Sequence, residues 1–486
     1  MKYFTLAPLA LVAALSTTAA ASGLPVVAKH HAPPAPAHPT RVSTYYPDFA
    51  TLGVPVPQIT LPLAAPSGYV LGGNVTAQPT PSQASKVAVC TVIPHGWGRD
   101  DSQQILAAVE ACGTDGEITL PAPYVYTIGS RLYMNLVRAK LNIFGTLSFT
   151  ADLGYWIDNS HRVEFQNQST AWIVEGEDYV ISGGGWAQGG VNGNGQAWYG
   201  RAAGQSNQYG RPIPLSIYNS TNATVQDLSF INPQFWTFWV QDSYDVSLTG
   251  IYINGTNTDP YGNGSNWETN IDGLDSMRVN GLLLEDWVFH GGDDCFAPKG
   301  NSTNMTLRNM TCVGGGIAFG SIGQYPESPD YISNVSATDI SVRQAISPVY
   351  GGSTVGGGAY FKSWVGVEEG VPPQGGGGGT GRVWNVTFHN LNVHNATHAV
   401  YMNKCYYKVA DQANYCDTST LEFEDLTFTN VTGLVSSQYG ISFNCSAAAP
   451  CKDLAVFDLD VTVNNGTMSG VYCDNVDSLA GINCTA

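Results

Sequence analysis

The chain has 486 residues, 43% of them hydrophobic and only 12% charged, with 55 glycines, a composition that can bury a large core and excludes compositional disorder. A net charge of −18 without a basic patch excludes a nucleic-acid partner, and any anionic ligand would need a locally basic site. The even number of cysteines in close couples, together with roughly sixteen N-x-S/T sequons, predicts an exported, oxidised glycoprotein.

In chain order, residues 1–22 open with one lysine, then an apolar run and small residues, the pattern of a secretory signal peptide. No later apolar segment is long enough to span a bilayer, so a soluble extracellular protein without a membrane partner is expected, acting as a monomer. Residues 23–85 form a Pro/Ala-rich extension and leading segment in which His30 and His31 read as solvated linker residues rather than metal ligands. The stretch GRDDSQQILAAVEACG predicts a helix capped by Asp101 or Ser102. It has Ile105, Ala108, Val109 and Cys112 on one face and Gly113 as its stop.

Beyond the helix an eight-residue pattern recurs, apolar at its first, third, sixth and eighth positions and Asn, Asp or Gly at its fifth. Copies start at Ala223, Val246, Leu282, Met305, Val335, Val386, Leu421 and Leu454. Each reads as two short strands joined by a one-residue corner that tolerates left-handed backbone. The irregular but repeated spacing predicts an all-β domain over 86–486, a parallel β-helix whose coils bury their apolar faces against one another and whose first end is capped by the helix. An antiparallel sandwich would need hairpin turns and gives no reason for a fixed corner position. LNIFGTLSF near 141 and YVISGGG near 179 read as earlier coils. The predicted disulfides are Cys90–Cys112, Cys295–Cys312, Cys405–Cys416, Cys445–Cys451 and Cys473–Cys484, although other pairings of these cysteines are open.

In a solenoid, sequence spacing becomes a ruler. Asp272 and Asp293 are 21 residues apart, about one coil, so Asp272, Asp293 and Asp294 should converge on one face. Crowded carboxyls raise one another's pKa, which suits glycoside hydrolysis: one protonates the leaving oxygen while another activates water. Turn capping is the plainer reading, adopted for Asp275, and a calcium site is another. No G-x-S-x-G, H-E-x-x-H or zinc spacing occurs, and the glycine run ending in Gly377–Gly381 reads as a mobile loop.

GNGQAWY from Gly193, NPQFWTFWV from Asn232, NIDG from Asn270, GDDC from Gly292, GSIGQY from Gly320 and FKSW from Phe361, in this order, resemble the polygalacturonase family of pectin-degrading glycoside hydrolases. The resemblance implies a right-handed parallel β-helix that inverts the anomeric centre and uses no metal or other cofactor. It implies Asp293 as general acid, Asp272 and Asp294 as holders of the water, Asn270 as an orienting residue and Cys295–Cys312 as a brace. Two positions depart from the family. Gly315 stands where a histidine is usual, and Tyr360-Phe361-Lys362 replaces an R-I-K triplet, removing the bidentate cation expected for a uronate carboxylate.

From those departures the expected activity is exo-release of terminal α-L-rhamnose from rhamnogalacturonan-type pectin or from a rhamnoside. Tyr360 would stack on the sugar, with Lys362 and Tyr325 also binding substrate. The alternatives are an exo-galacturonohydrolase, a catalytically dead polysaccharide-binding β-helix, and a calcium-dependent lyase. Trp236, Trp239, Trp267 and Trp364 are further candidates for the cleft, with Trp236 and Trp239 assigned rather to the core. His290 reads as a turn residue.

Overall fold

The computed structural model of the chain describes residues 87–485 apart from 186–187, 259–268, 348–350, 354–356 and 408–409. The predicted signal peptide 1–22, the whole 23–85 extension with His30 and His31, and Trp267 lie outside the described residues.

The corner residues dictate the architecture. Asp227, Gly250, Asp286, Asn309, Asp339, Asn390, Asp425 and Asp458 all have φ between 51° and 62°, a region that only glycine and the short Asn and Asp side chains enter at low cost. Each corner turns the chain between strands that pair in parallel with the coils before and after, giving a 24-stranded parallel sheet wound as a right-handed β-helix. The earlier coils expected near 141 and 179 belong to the same sheet, as Lys140–Ile143, Thr146–Phe149 and Trp172–Ser182.

The first residues of the repeats stack in register: Ala223, Val246, Leu282, Met305, Val335 and Val386 pair successively, and all are buried. The next residue in this ladder is Leu426, not Leu421, and Leu454 follows it. The segment from Leu421 belongs to a neighbouring corner ladder formed by Asn222, Asp245, Gly281, Asn304, Asn334, Asn385, Asp425 and Asp453, all likewise at positive φ. Similar apolar alternation on both sides of two corners makes the frames interchangeable in sequence. Side chains bridge successive corners, as where Asn385 Nδ2 donates to Asn334 Oδ1 and Asn390 Nδ2 to Asp339 Oδ1, each at 2.7 Å. Inside, aromatic rings stack from coil to coil, Phe319 on Phe361 at 4.7 Å and Phe388 on Phe428 at 5.5 Å between centroids.

The helix is Ser102–Cys112, with Ile105, Ala108, Val109 and Cys112 buried against the first strands and Gly113 as its C-cap. Its N-terminal amide is satisfied by Asp100, whose Oδ1 accepts from Ser102 N at 2.9 Å. Asp101 makes no capping bond; it accepts instead from His95 N and Thr127 N, tying the helix to its neighbours. All five predicted disulfides are formed, and Cys90–Cys112 fastens the cap to the stack. The glycine run is pinned rather than free: Gly377 N donates to Gln324 O at 3.0 Å and Gly379 N to Gly323 O at 3.1 Å. A side chain at Gly381 would place its Cβ 1.9 Å from the Asp330 carbonyl oxygen, so close approach explains that glycine.

Candidate active site

Three successive coils carry the carboxylates. Gly273 N donates to Asp294 O at 2.8 Å and Gly315 N to Asp293 O at 3.0 Å, so Asp272, Asp293–Asp294 and Gly315 stack as the spacing predicts. One oxygen from each of Asp272, Asp293 and Asp294 lies within 4.8 Å of the others. Asp272 and Asp294 are buried, and Asp293 is half-buried.

Asp293 is held by backbone: Asn270 N donates to its Oδ2 and Asp294 N to its Oδ1, both at 3.1 Å. Asn270 sits at φ 57°, which aims this amide at the carboxyl, while its side-chain oxygen accepts from Asn207 N at 2.7 Å. Burial first, then repulsion from Asp294, pushes the Asp293 carboxyl up to about 7, against the opposing pull of Lys362 and the Asn270 amide. Burial and the neighbouring Asp293 raise Asp272 well above its ordinary value as well. An acid with a pKa near neutrality is matched to proton donation.

Asp294 is fixed differently. Tyr360 hydroxyl donates to its Oδ1 and Lys362 Nζ to its Oδ2, so this carboxylate is clamped by one neutral and one charged donor. Strand alternation explains the pairing: in Gly357–Trp364, Tyr360 and Lys362 share one face while Phe361 points into the core. Ala297 and Ala318 pack with Tyr360 in a small cluster, and their size leaves room for the ring to reach Asp294. Asp275 is not a turn cap. It lies buried within the strand Leu274–His290, and its Oδ1 is 2.8 Å from Lys299 Nζ.

Tyr360 is fully buried, so it presents no face to a sugar and the stacking expected of it does not occur in this structure. Tyr406, half-buried beside it, has its ring centroid 5.7 Å from Lys362 Nζ, and Tyr407 lies next to it. Tyr325 is half-buried; its hydroxyl accepts from Gln166 N at 3.1 Å, and Gln166 Nε2 donates to Gln324 Oε1 at 2.8 Å. These bonds join segments about 160 residues apart. Trp236 and Trp239 are core, stacked at 5.7 Å, and Trp364 is buried against Tyr407. His290 ends a strand rather than forming a turn, and burial pushes its imidazole down to about 4, leaving it neutral.

Sequence reading missed Lys299, Tyr406 and Arg211, since isolated basic and aromatic residues carry no motif. Three carboxylates this close are also compatible with a divalent cation, but Lys362 already supplies positive charge at Asp294. Turnover is therefore expected to be unchanged after chelation with EDTA; loss of activity restored by Ca²⁺ would reverse that assignment.

A parallel β-helix bearing a clamped carboxylate beside a carboxyl poised near neutrality has the acid and base that hydrolysis of a glycosidic bond requires. The family profile described as "Glycosyl hydrolases family 28" matches residues 117–349 and 365–484. The chain belongs to this family and is an O-glycosyl hydrolase. It is 42% identical over 446 residues to the "Putative galacturan 1,4-alpha-galacturonidase A" of Aspergillus niger, covering 88% of this chain and 100% of that protein. With the Aspergillus niger "Alpha-L-rhamnosidase rgxB" it shares 33% identity over 402 residues, covering 82% and 90%. The endo-xylogalacturonan hydrolase structure from Aspergillus tubingensis superimposes with a TM-score of 0.68 at 25% identity, over 82% of this chain and 99% of that one.

Proposed function

We propose that the chain is a secreted, exo-acting hydrolase of pectic polysaccharide that removes a terminal galacturonate with inversion. The observation that carries hydrolysis is the Asp272–Asp293–Asp294 cluster with its acid pushed up to about 7. Asp293 protonates the leaving oxygen; Asp272 and Asp294 hold and deprotonate the water. Asp294 already accepts from Tyr360 and Lys362, which favours a water-holding role over attack on the sugar. Similarity to the galacturonidase supports exo action, and five disulfides support secretion.

Galacturonate is favoured over rhamnose by two observations. The aromatic platform that would have selected a deoxy sugar, Tyr360, is buried. The 42% identical relative also carries a galacturonidase name over its full length. Release of terminal α-L-rhamnose is the second reading, supported by the absence of a guanidinium at position 360 and by similarity to the rhamnosidase. Digestion of polygalacturonate is expected to yield monomeric galacturonic acid from the first time points. Rhamnose from rhamnogalacturonan or an aryl rhamnoside, without galacturonate, would establish the second reading, and release of neither sugar would sink both.

Stereochemistry is a separate test. Carboxyl groups about 5 Å apart are usual for retaining enzymes, whereas inverting ones commonly stand ~6.5–9.5 Å apart. The spacing here is therefore tight, and inversion requires the water to lie over the Asp272–Asp294 edge. Proton NMR at early conversion is expected to show the β-anomer first; initial α-product would make Asp272 or Asp294 the nucleophile.

A further inference from the structure

Four carboxylates of the groove centre face three buried cations. Lys299 is paired with Asp275 and Lys362 with Asp294. The third cation is Arg211, fully buried, which no sequence motif marks. Its Nη1 donates to Thr269 O at 2.7 Å, and the N–H of that same peptide unit, on Asn270, donates to Asp293 Oδ2 at 3.1 Å. A cation on a peptide oxygen polarises the N–H at the other end, so Arg211 strengthens the bond that holds the acid. Arg211 Nε donates to Gln234 O, just ahead of Thr237, whose amide donates to Asp272 O at 2.8 Å. One guanidinium thus fastens the segments that seat Asp272 and Asp293. Its Nη2 and Asp272 Oδ1 are both buried without a hydrogen-bond partner among the described residues.

The groups facing one another here are few. Arg211 faces Asp272, Asp293, Tyr199 and Arg201. Asp272 faces Asp293, Asp275, Asp294 and Lys299, and Asp293 faces Asp294, Lys362 and Asp275. Burial brings the guanidinium down only to about 10, so it stays charged at working pH. With two carboxylates neutralised by lysines, one positive charge is left for Asp272 and Asp293. The assembly is neutral when those two carboxyls share a single proton.

We propose that Arg211 is a positioning residue that fixes the Asp272–Asp293 pair at one proton, so that one carboxyl donates while the other remains a base. This rests on the hydrolase reading above and adds the residue that sets its protonation.

The test compares Arg211→Gln, which keeps donors but loses charge, with Arg211→Lys, which keeps charge but loses the fork. The readouts are pH profiles of kcat/KM on oligogalacturonate and of Tm. Loss of the charge raises both carboxyl pKa values, so both limbs of the R211Q rate profile are expected to move up by about one pH unit. The R211K limbs are expected to stay in place while kcat falls. The Tm deficit of R211Q is expected to grow between pH 4 and pH 7, because carboxyls with raised folded pKa values lose stability as pH rises; that of R211K is expected to be flat.

Unmoved limbs and a uniform Tm deficit in R211Q, or equal displacement in both variants, would overturn the proposal. If R211Q does not fold, the R211K limbs decide: wild-type positions support the charge role and displaced ones overturn it. A wild-type protein that cleaves no pectic oligosaccharide would defeat the hydrolase reading, and the Tm profiles would still judge Arg211 by themselves.

Discussion

Asp293→Asn is expected to lower kcat by ~10³-fold, with KM little changed, because the amide preserves shape and cannot donate the proton that the leaving oxygen needs. The same substitution should raise Tm at neutral pH. In the folded protein the Asp293 carboxyl is pushed from its ordinary 3.8 up to about 7, chiefly by burial and then by Asp294. A carboxyl raised on folding gives stability that is complete below the unfolded value and is lost as pH rises through the folded one. At pH 7 wild type therefore bears a cost the asparagine variant lacks, whereas near pH 4 the two should melt together. A variant that loses activity and stability alike at pH 7 would place Asp293 in a structural role. Wild-type activity should correspondingly fall as pH rises through about 7, where the acid loses its proton.

Gly315→His, which restores the residue usual in the family, is expected to reduce kcat/KM by ~100-fold rather than improve it. A Cβ at Gly315 would lie 2.6 Å from the Asp293 carbonyl oxygen and 3.1 Å from the Asp294 Cα. These are backbone atoms that cannot rotate aside, so the coil carrying both carboxylates must shift, and displacement of about 1 Å at a catalytic group can cost 10²-fold. Gly315→Ala should show most of the same loss, since the Cβ causes the clash. Overpacking of this kind also destabilises by about 1–3 kcal/mol, to be read by thermal melting. Full activity in the alanine variant would show that the coil yields more than its geometry implies. Here the glycine is a packing requirement of the coil that carries Asp293 and Asp294, and the positive charge near the carboxylates comes from Lys362, Lys299 and Arg211.

Much of this site was legible beforehand because a solenoid converts sequence distance into spatial distance. Asp272, Asp293, Asp294 and Gly315 could be stacked by counting, and the Asn, Asp and Gly corners announced the coil. The octad at Leu421 was misplaced because adjacent corners share one pattern, and only hydrogen-bonded register separates them. Tyr360 was misread because a substitution seen alone suggests a new surface. Ala297 and Ala318, distant in sequence, are what bury it against Asp294. Arg211 was invisible since its partners are carbonyl oxygens of Gln234 and Thr269, which any residue supplies.

The sequence by itself determined the coil, its cap and the meeting of three carboxylates, because each follows from local periodicity or from spacing along one axis. Tertiary structure alone decided which cation serves which carboxylate, which aromatic reaches the groove, and why position 315 carries no side chain. Those outcomes depend on contacts between coils far apart in the chain, where burial and exact approach distances set both charge and space.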